Sequence, residues 1–256
     1  MLDFRMLGPF EVRDSDTAIP LGPPQQRFVL AFLLLESNRM VPVRRLIEML
    51  WQGDAPASAR NALQVHVSRL RRLFRDRGHG EVRIDTVGAG YRIMVRQDAV
   101  DLHRFQRLAS AARKVDRADE AAALLRRALD MWHGQPLADL ENPWLRRNVC
   151  AALEGFWLNA CEDLFEVELR LGNHGEILPR LSQLAGQHPT RERLAGLLMR
   201  TLYERGRRAE AIAVYRRVAH ALGDGFGIDP GRTLDDLHIA ILRDDRDGRA
   251  TAASRG

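Results

Sequence analysis

Between Ala57 and Asp76 the chain reads ASARNALQVHVSRLRRLFRD, and at about 100° per residue these side chains sort onto two helical faces. Ala59, Leu63, Val67, Leu70 and Phe74 form an apolar stripe. Asn61, Val65, Ser68, Arg69 and Arg72, flanked by Gln64 and Arg75, form the opposite face. Amides and hydroxyls supply the donors and acceptors that read base edges, and arginines bind phosphates or guanine. No acid precedes Asp76 in this stretch, and Ser58 stands where a helix N-cap is expected. A solvated basic face on an ordinary helix has the same composition, so the flanking elements decide what the stretch is for.

Other chemistries find no residues to carry them. The eight histidines are scattered without zinc-type spacing, and no glycine-rich phosphate loop or nucleophile motif occurs. The expectation is a protein that is not an enzyme, with no catalytic residues, metal or cofactor. Cys150 and Cys161 fall on one face of a single expected helix, about 16 Å apart, too far for a disulfide. They read as buried thiols.

Composition narrows the class further. Of 256 residues, 45% are hydrophobic, which excludes a wholly disordered chain. The longest apolar run, Phe28 to Leu35, is far short of the roughly 18 to 20 residues that span a bilayer. The N-terminus lacks a signal-peptide pattern, so a cytoplasmic, nucleoid-associated protein without a membrane partner is expected. The net charge of +5 is unevenly spread: over residues 1–95, 14 arginines face 10 acids. Lys114 is the sole lysine; a GC-rich genome explains the choice of arginine, though not its concentration between Arg60 and Arg75.

Around the 57–76 helix the first 95 residues mix strand and helix signals. Residues 4–13 and Thr17–Leu21 read as strands of a small N-terminal sheet, separated by a turn at Asp14, Ser15 and Asp16. Pro23 and Pro24 open an apolar helix that ends before Asn38. A short extended piece, Arg39–Pro42, precedes the amphipathic helix Val43–Trp51, and QGDAPAS leads on to Ala57. After Gly78-His79-Gly80, VRIDTV and YRIMV flank Gly88-Ala89-Gly90 as a hairpin. Sheet, three helices and hairpin make a winged helix-turn-helix, in which the third helix enters the major groove. Arg44, Arg45, Thr86, Tyr91 and Arg92 are then candidates for phosphate contact, with Tyr91 alternatively packing the wing.

Residues 98–243 read as all helix. RLGNHGEIL (170–178) aligns with ERGRRAEAI (204–212), placing Gly172 over Gly206 and Glu176 over Glu210 at the 34-residue tetratricopeptide period. A looser copy lies at 119–129. Such a stack presents a concave surface that suits a partner or self-association, or serves as a packing scaffold. Residues 142–171 read as one long helix whose aromatics form core, and 244–256 as a disordered tail. The expected architecture is an α+β winged helix-turn-helix domain, 1–95, followed by an all-α tetratricopeptide-like domain, 98–243.

VHVSRLRRLF and TVGAGYRI resemble the recognition helix and wing of the OmpR-type effector domain of two-component regulators. Adding LGPFEV, LIEMLW, VDLHRF, HPTRERLAGLLMRTLYERGRRAEAIAVYRR and GIDPGRTLDDLHIAIL, the chain to about residue 243 resembles the Streptomyces antibiotic regulatory protein (SARP) family. That resemblance implies a bacterial transcriptional activation domain in the second half and binding to direct repeats in promoter DNA. It also implies self-association on DNA and recruitment of RNA polymerase holoenzyme through its sigma factor and alpha subunit, switching on an antibiotic gene cluster. The resemblance further implies that Arg71, which matches a family arginine, reaches the DNA backbone, and that the loop with Trp51, Gln52 and Asp54 is a candidate polymerase contact, with Trp51 alternatively plugging the core. With strand signals from the first residues on, no receiver segment ahead of them is expected, which separates the reading from a phosphorylation-controlled regulator. A helical domain that senses a small molecule is the alternative.

Overall fold

A computed structural model describes the backbone of residues 2–15 and 17–253 and the side chains of 2–15 and 17–243. The chain packs as two compact units, Met1–Lys114 with Leu124–Ala160, and Val115–Ala123 with Cys161–Gly256.

In the first unit, β1 (Leu2–Arg5), β2 (Glu11–Asp14) and β3 (Thr17–Ala18) form an antiparallel sheet in that order. The expected strand over 4–13 is therefore two strands. Gly8 and Pro9 break it, since proline lacks the N–H a ladder needs, and Leu2 pairs back onto Asp14. Helices α1 (Pro24–Leu35), α2 (Val43–Trp51) and α3 (Ala59–Asp76) follow, with the short strand β4 (Val41–Pro42) between the first two. The hairpin β5 (Arg83–Val87) and β6 (Gly90–Met94) joins β4 in a second sheet of order β4-β6-β5.

Gly90 is required where β4 crosses β6. A Cβ there would collide with the Val41 carbonyl and the Met40 sulfur, and the Val43 N–H donates to the Ala89 carbonyl beside it at 2.9 Å. Gly90 pairs with Val87, leaving Gly88-Ala89 as a two-residue turn. The core beneath is apolar and dense, with Phe4, Phe10, Phe32, Leu46, Leu63, Leu70 and Phe74 all essentially inaccessible to water.

Helix α4 (Asp101–Ala112), reached through a 3-10 turn at Gln97–Ala99, is bound to the first sheet by its leading residue. The buried Asp101 carboxylate accepts from the N–H groups of Met6, Leu7 and Leu102 at 2.7–3.0 Å. Helix α5 (Ala118–Leu129) precedes a strap, residues 131–142, that runs along the same unit. In the strap the N–H groups of His133 and Leu137 donate to the carbonyls of Leu7 and Met6, and the Asp139 carboxylate receives Arg27 and the Phe10 N–H. The single helix expected over 142–171 is α6 (Pro143–Leu145), a π-helical turn at Arg146–Cys150 and α7 (Ala151–Arg170). Cys150 and Cys161 are free and buried.

In the second unit α8 (His174–Gln187), α9 (Glu192–Glu204), α10 (Arg208–Phe226) and α11 (Arg232–Ala253) continue the array. The 34-residue repeat reaches the level of single hydrogen bonds. The N–H groups of Gly172 and Asn173 donate to Leu169 and Glu168; those of Gly206 and Arg207 donate to Tyr203 and Leu202. Both are Schellman turns, with φ of 79° and 73° at glycines that carry no Cβ penalty there. The expected tail, 244–256, lies outside the residues whose side chains are described.

Candidate nucleic-acid interface

Helix α3 owes its orientation to its apolar stripe. Leu63, Val67, Leu70 and Phe74 are buried, and Phe74 meets Phe4 of the sheet edge to face at 6.2 Å between ring centroids. Ser58 stands at the N-cap, but its hydroxyl makes no capping bond; the helix starts on the Ala62 N–H to Ser58 carbonyl bond instead. With one face fixed, Asn61, Gln64, Val65, Ser68, Arg69, Arg72 and Arg75 are all exposed on the other. Val65, 47% exposed, puts an apolar group amid polar ones.

The charges on this face are unequal. Arg72 pairs with Asp76 at 3.1 Å and Arg75 reaches the same carboxylate at 3.8 Å, both in water, where such pairs contribute little and open easily. Arg60 and Arg69 have no carboxylate partner among the described residues. His66, on the flank of α3, is buried with its Nε2 3.3 Å from Gln25 Oε1. Burial, and then the Arg69 charge, push its pKa below the usual histidine value, so it adds no charge at neutral pH.

Arg71, Thr86 and Tyr91 come together, and they do so as a structural joint. Arg71 Nε donates to the Ile84 carbonyl at 2.6 Å, its Nη2 donates to Thr86 Oγ1 at 2.8 Å, and its guanidinium lies 5.7 Å from the centre of the buried Tyr91 ring. Arg92 sits on the hairpin opposite Asp85 at 3.6 Å. On α2, Arg44 pairs with Glu48 one turn on at 2.9 Å. Arg45 pairs with Glu36 at 3.1 Å and lies over the Phe32 ring.

The α2–α3 loop begins with Trp51, half-buried, and Gln52 in left-handed conformation at φ 53°. Gln52, Gly53 and Asp54 are exposed. Sequence reasoning missed Asn142, whose side-chain amide donates to the Met49 carbonyl in the last turn of α2 at 3.0 Å. The two residues are 93 positions apart, and no local pattern announces such a contact.

Among the described residues no helix is long and apolar enough to cross a membrane, and no group of three or more His, Cys, Asp or Glu could hold a metal ion.

Comparison with known proteins agrees with this arrangement. Residues 100–242 match the bacterial transcriptional activator domain, and residues 17–93 match the family described as transcriptional regulatory protein, C terminal. The regulatory protein AfsR of Streptomyces coelicolor is 40% identical over 250 residues, 95% of this chain, which spans about a quarter (24%) of that protein's length. The regulatory protein DnrI of Streptomyces peucetius is 31% identical over 253 residues, covering 95% of this chain and 93% of its own. A solved structure of Mycobacterium tuberculosis EmbR in complex with a low-affinity phosphopeptide superposes with a TM-score of 0.90 at 34% identity, over 99% of this chain and 69% of that one. An OmpR-type winged helix followed by a bacterial transcriptional activator domain places the chain in the SARP family of transcriptional activators.

Proposed function

We propose that the chain binds double-stranded promoter DNA by inserting α3 into the major groove, with the β5–β6 hairpin as the wing beside it. The observation that carries this reading is the exposed face of α3, where Arg69 stands unpaired among Asn61, Gln64, Val65 and Ser68. Asn61 and Gln64 suit adenine, Arg69 suits guanine, and Val65 offers the apolar contact a thymine methyl makes. Arg72, Arg44 and Arg92, held only by exposed or half-exposed ion pairs, and Arg45, which also lies over Phe32, exchange those carboxylates for phosphates. Arg71, Thr86 and Tyr91 act by holding the wing to α3.

On this reading protomers bind direct repeats side by side, associate on the DNA, and recruit RNA polymerase holoenzyme through the loop containing Trp51, Gln52 and Asp54. The regulated genes form a secondary-metabolite cluster, a reading supported by the similarity to AfsR and DnrI. The DNA-binding part spans residues 1–95 and the activation part residues 98–243. The protein works in the cytoplasm on the nucleoid.

Footprinting on the promoters beside its own gene tests the proposal. The expected result is protection of spaced repeats in one orientation, with Arg69→Ala weakening binding by about 1 to 3 kcal/mol and relaxing specificity at one base pair. Equal binding by Arg69→Ala and wild type refutes the placement of α3.

A further inference from the structure

We infer that Asn142, from the segment matched by the activator domain, is the positioning residue for the α2–α3 loop. A helix leaves its last carbonyls without intrahelical partners. In α2 the left-handed Gln52 ends the helix and returns its own N–H to the Glu48 carbonyl at 2.8 Å. The next carbonyl, Met49, is taken by Asn142 Nδ2 at 3.0 Å. The bond lies two residues before Trp51, at the point where the chain leaves the helix.

The donor is rigidly held. Asn142 is 7% exposed, and its Oδ1 accepts from the Leu145 N–H at 3.0 Å, capping α6. Its own N–H donates to the Leu140 carbonyl at 2.8 Å, and the neighbouring Trp144 ring meets Phe32 of α1 at 5.7 Å. The loop, by contrast, is exposed from Gln52 to Ser58, with short backbone bonds such as Asp54 N–H to the Trp51 carbonyl at 3.1 Å. Its direction is therefore set by the last turn of α2, which Asn142 closes. The residue type matters: aspartate caps α6 equally well but cannot donate to Met49, and serine caps but is too short to reach.

The functional consequence rests on the proposal that this loop meets polymerase. The test uses the full chain, a promoter fragment and purified RNA polymerase, with Asn142→Asp, Asn142→Ser, Gln52→Ala and Asp54→Ala. Both Asn142 variants keep the α6 cap, and Asn142→Ser introduces no charge should Asn142→Asp fold poorly. The expected result is amide exchange about tenfold faster at residues 52–55, promoter affinity within about twofold of wild type, and activated transcription lower by about fivefold or more. Unchanged exchange in both Asn142 variants overturns the inference. So does undiminished transcription in those variants when Asp54→Ala or Gln52→Ala lowers it. Faster exchange with full transcription in all four variants leaves Asn142 as the loop's anchor and refutes the polymerase role of the loop.

Discussion

Arg71 on α3 and Thr86 on β5 are joined by a 2.8 Å hydrogen bond, and the same guanidinium holds the neighbouring Ile84 carbonyl at 2.6 Å. The position of Arg71 on a basic helix and its place beside the wing suit different jobs. Its hydrogen bonds are those of the second. An arginine bidentate to fixed oxygens and stacked near Tyr91 is not replaceable by lysine, whose ammonium cannot span the fork. Arg71→Lys is expected to lower the stability of the folded chain by about 1 to 3 kcal/mol, read by urea unfolding. Wild-type stability in that variant contradicts the joint.

Asp76 restrains two of the arginines on the exposed side of α3, Arg72 and Arg75. Removing its charge frees both for phosphates. Asp76→Asn is expected to tighten promoter binding by about two- to fivefold at low salt and to steepen the dependence on salt concentration. Weaker binding, or an unchanged salt slope, counts against phosphate contact by Arg72.

Gly90→Ala introduces a methyl group against the Val41 carbonyl and the Met40 sulfur. Backbone cannot yield as a side-chain tip can, so the second sheet must open. The expected cost is about 3 kcal/mol, seen as a lower thermal midpoint with loss of promoter binding. Gly88→Ala meets no neighbouring atom, but Gly88 sits at φ 53°, so its expected cost is the smaller one of a left-handed residue carrying a Cβ, about 1 kcal/mol.

The Asp101 carboxyl is pushed up by burial to about 6, above its ordinary value of 3.8, against the opposing pull of the Leu7, Met6 and Leu102 amides. The folded state therefore holds the extra proton between these values. The group's contribution to stability is greatest below about pH 4 and falls as pH rises through 6, by about 2 to 3 kcal/mol in all. Unfolding of wild type and Asp101→Asn compared from pH 4 to 8 should show the difference between them shifting in that window and level above pH 7. A difference independent of pH removes Asp101 as the titrating group.

Much of this architecture was legible because its determinants are local. The α1 and α2 boundaries follow from prolines and apolar spacing, α3 from its leucine stripe, and the 34-residue period from glycines that both end helices in the same turn. The misreadings are also physical. Residues 4–13 have strand composition throughout, and only Gly8-Pro9 announces the reversal that makes two strands of one. Ser58 has the right chemistry for a cap, but its backbone does not aim the hydroxyl at the following amides. The arginines looked alike in sequence, since what separates Arg69 from Arg71 is an oxygen on a strand 13 or 15 residues further on. Asn142 lay beyond any pattern.

The start of α4 and the strap of residues 131–142 have a bearing on how such regulators can be recombined. Asp101, Asp139 and Asn142 fasten residues 6, 7, 10, 27 and 49 of the winged helix through hydrogen bonds and one ion pair. A chimera spliced at residue 97 would graft a DNA-reading head onto foreign carboxylates and amides at every one of those points. A splice after residue 145 carries the whole set with it, so specificity is inherited together with the opening third of the activator domain.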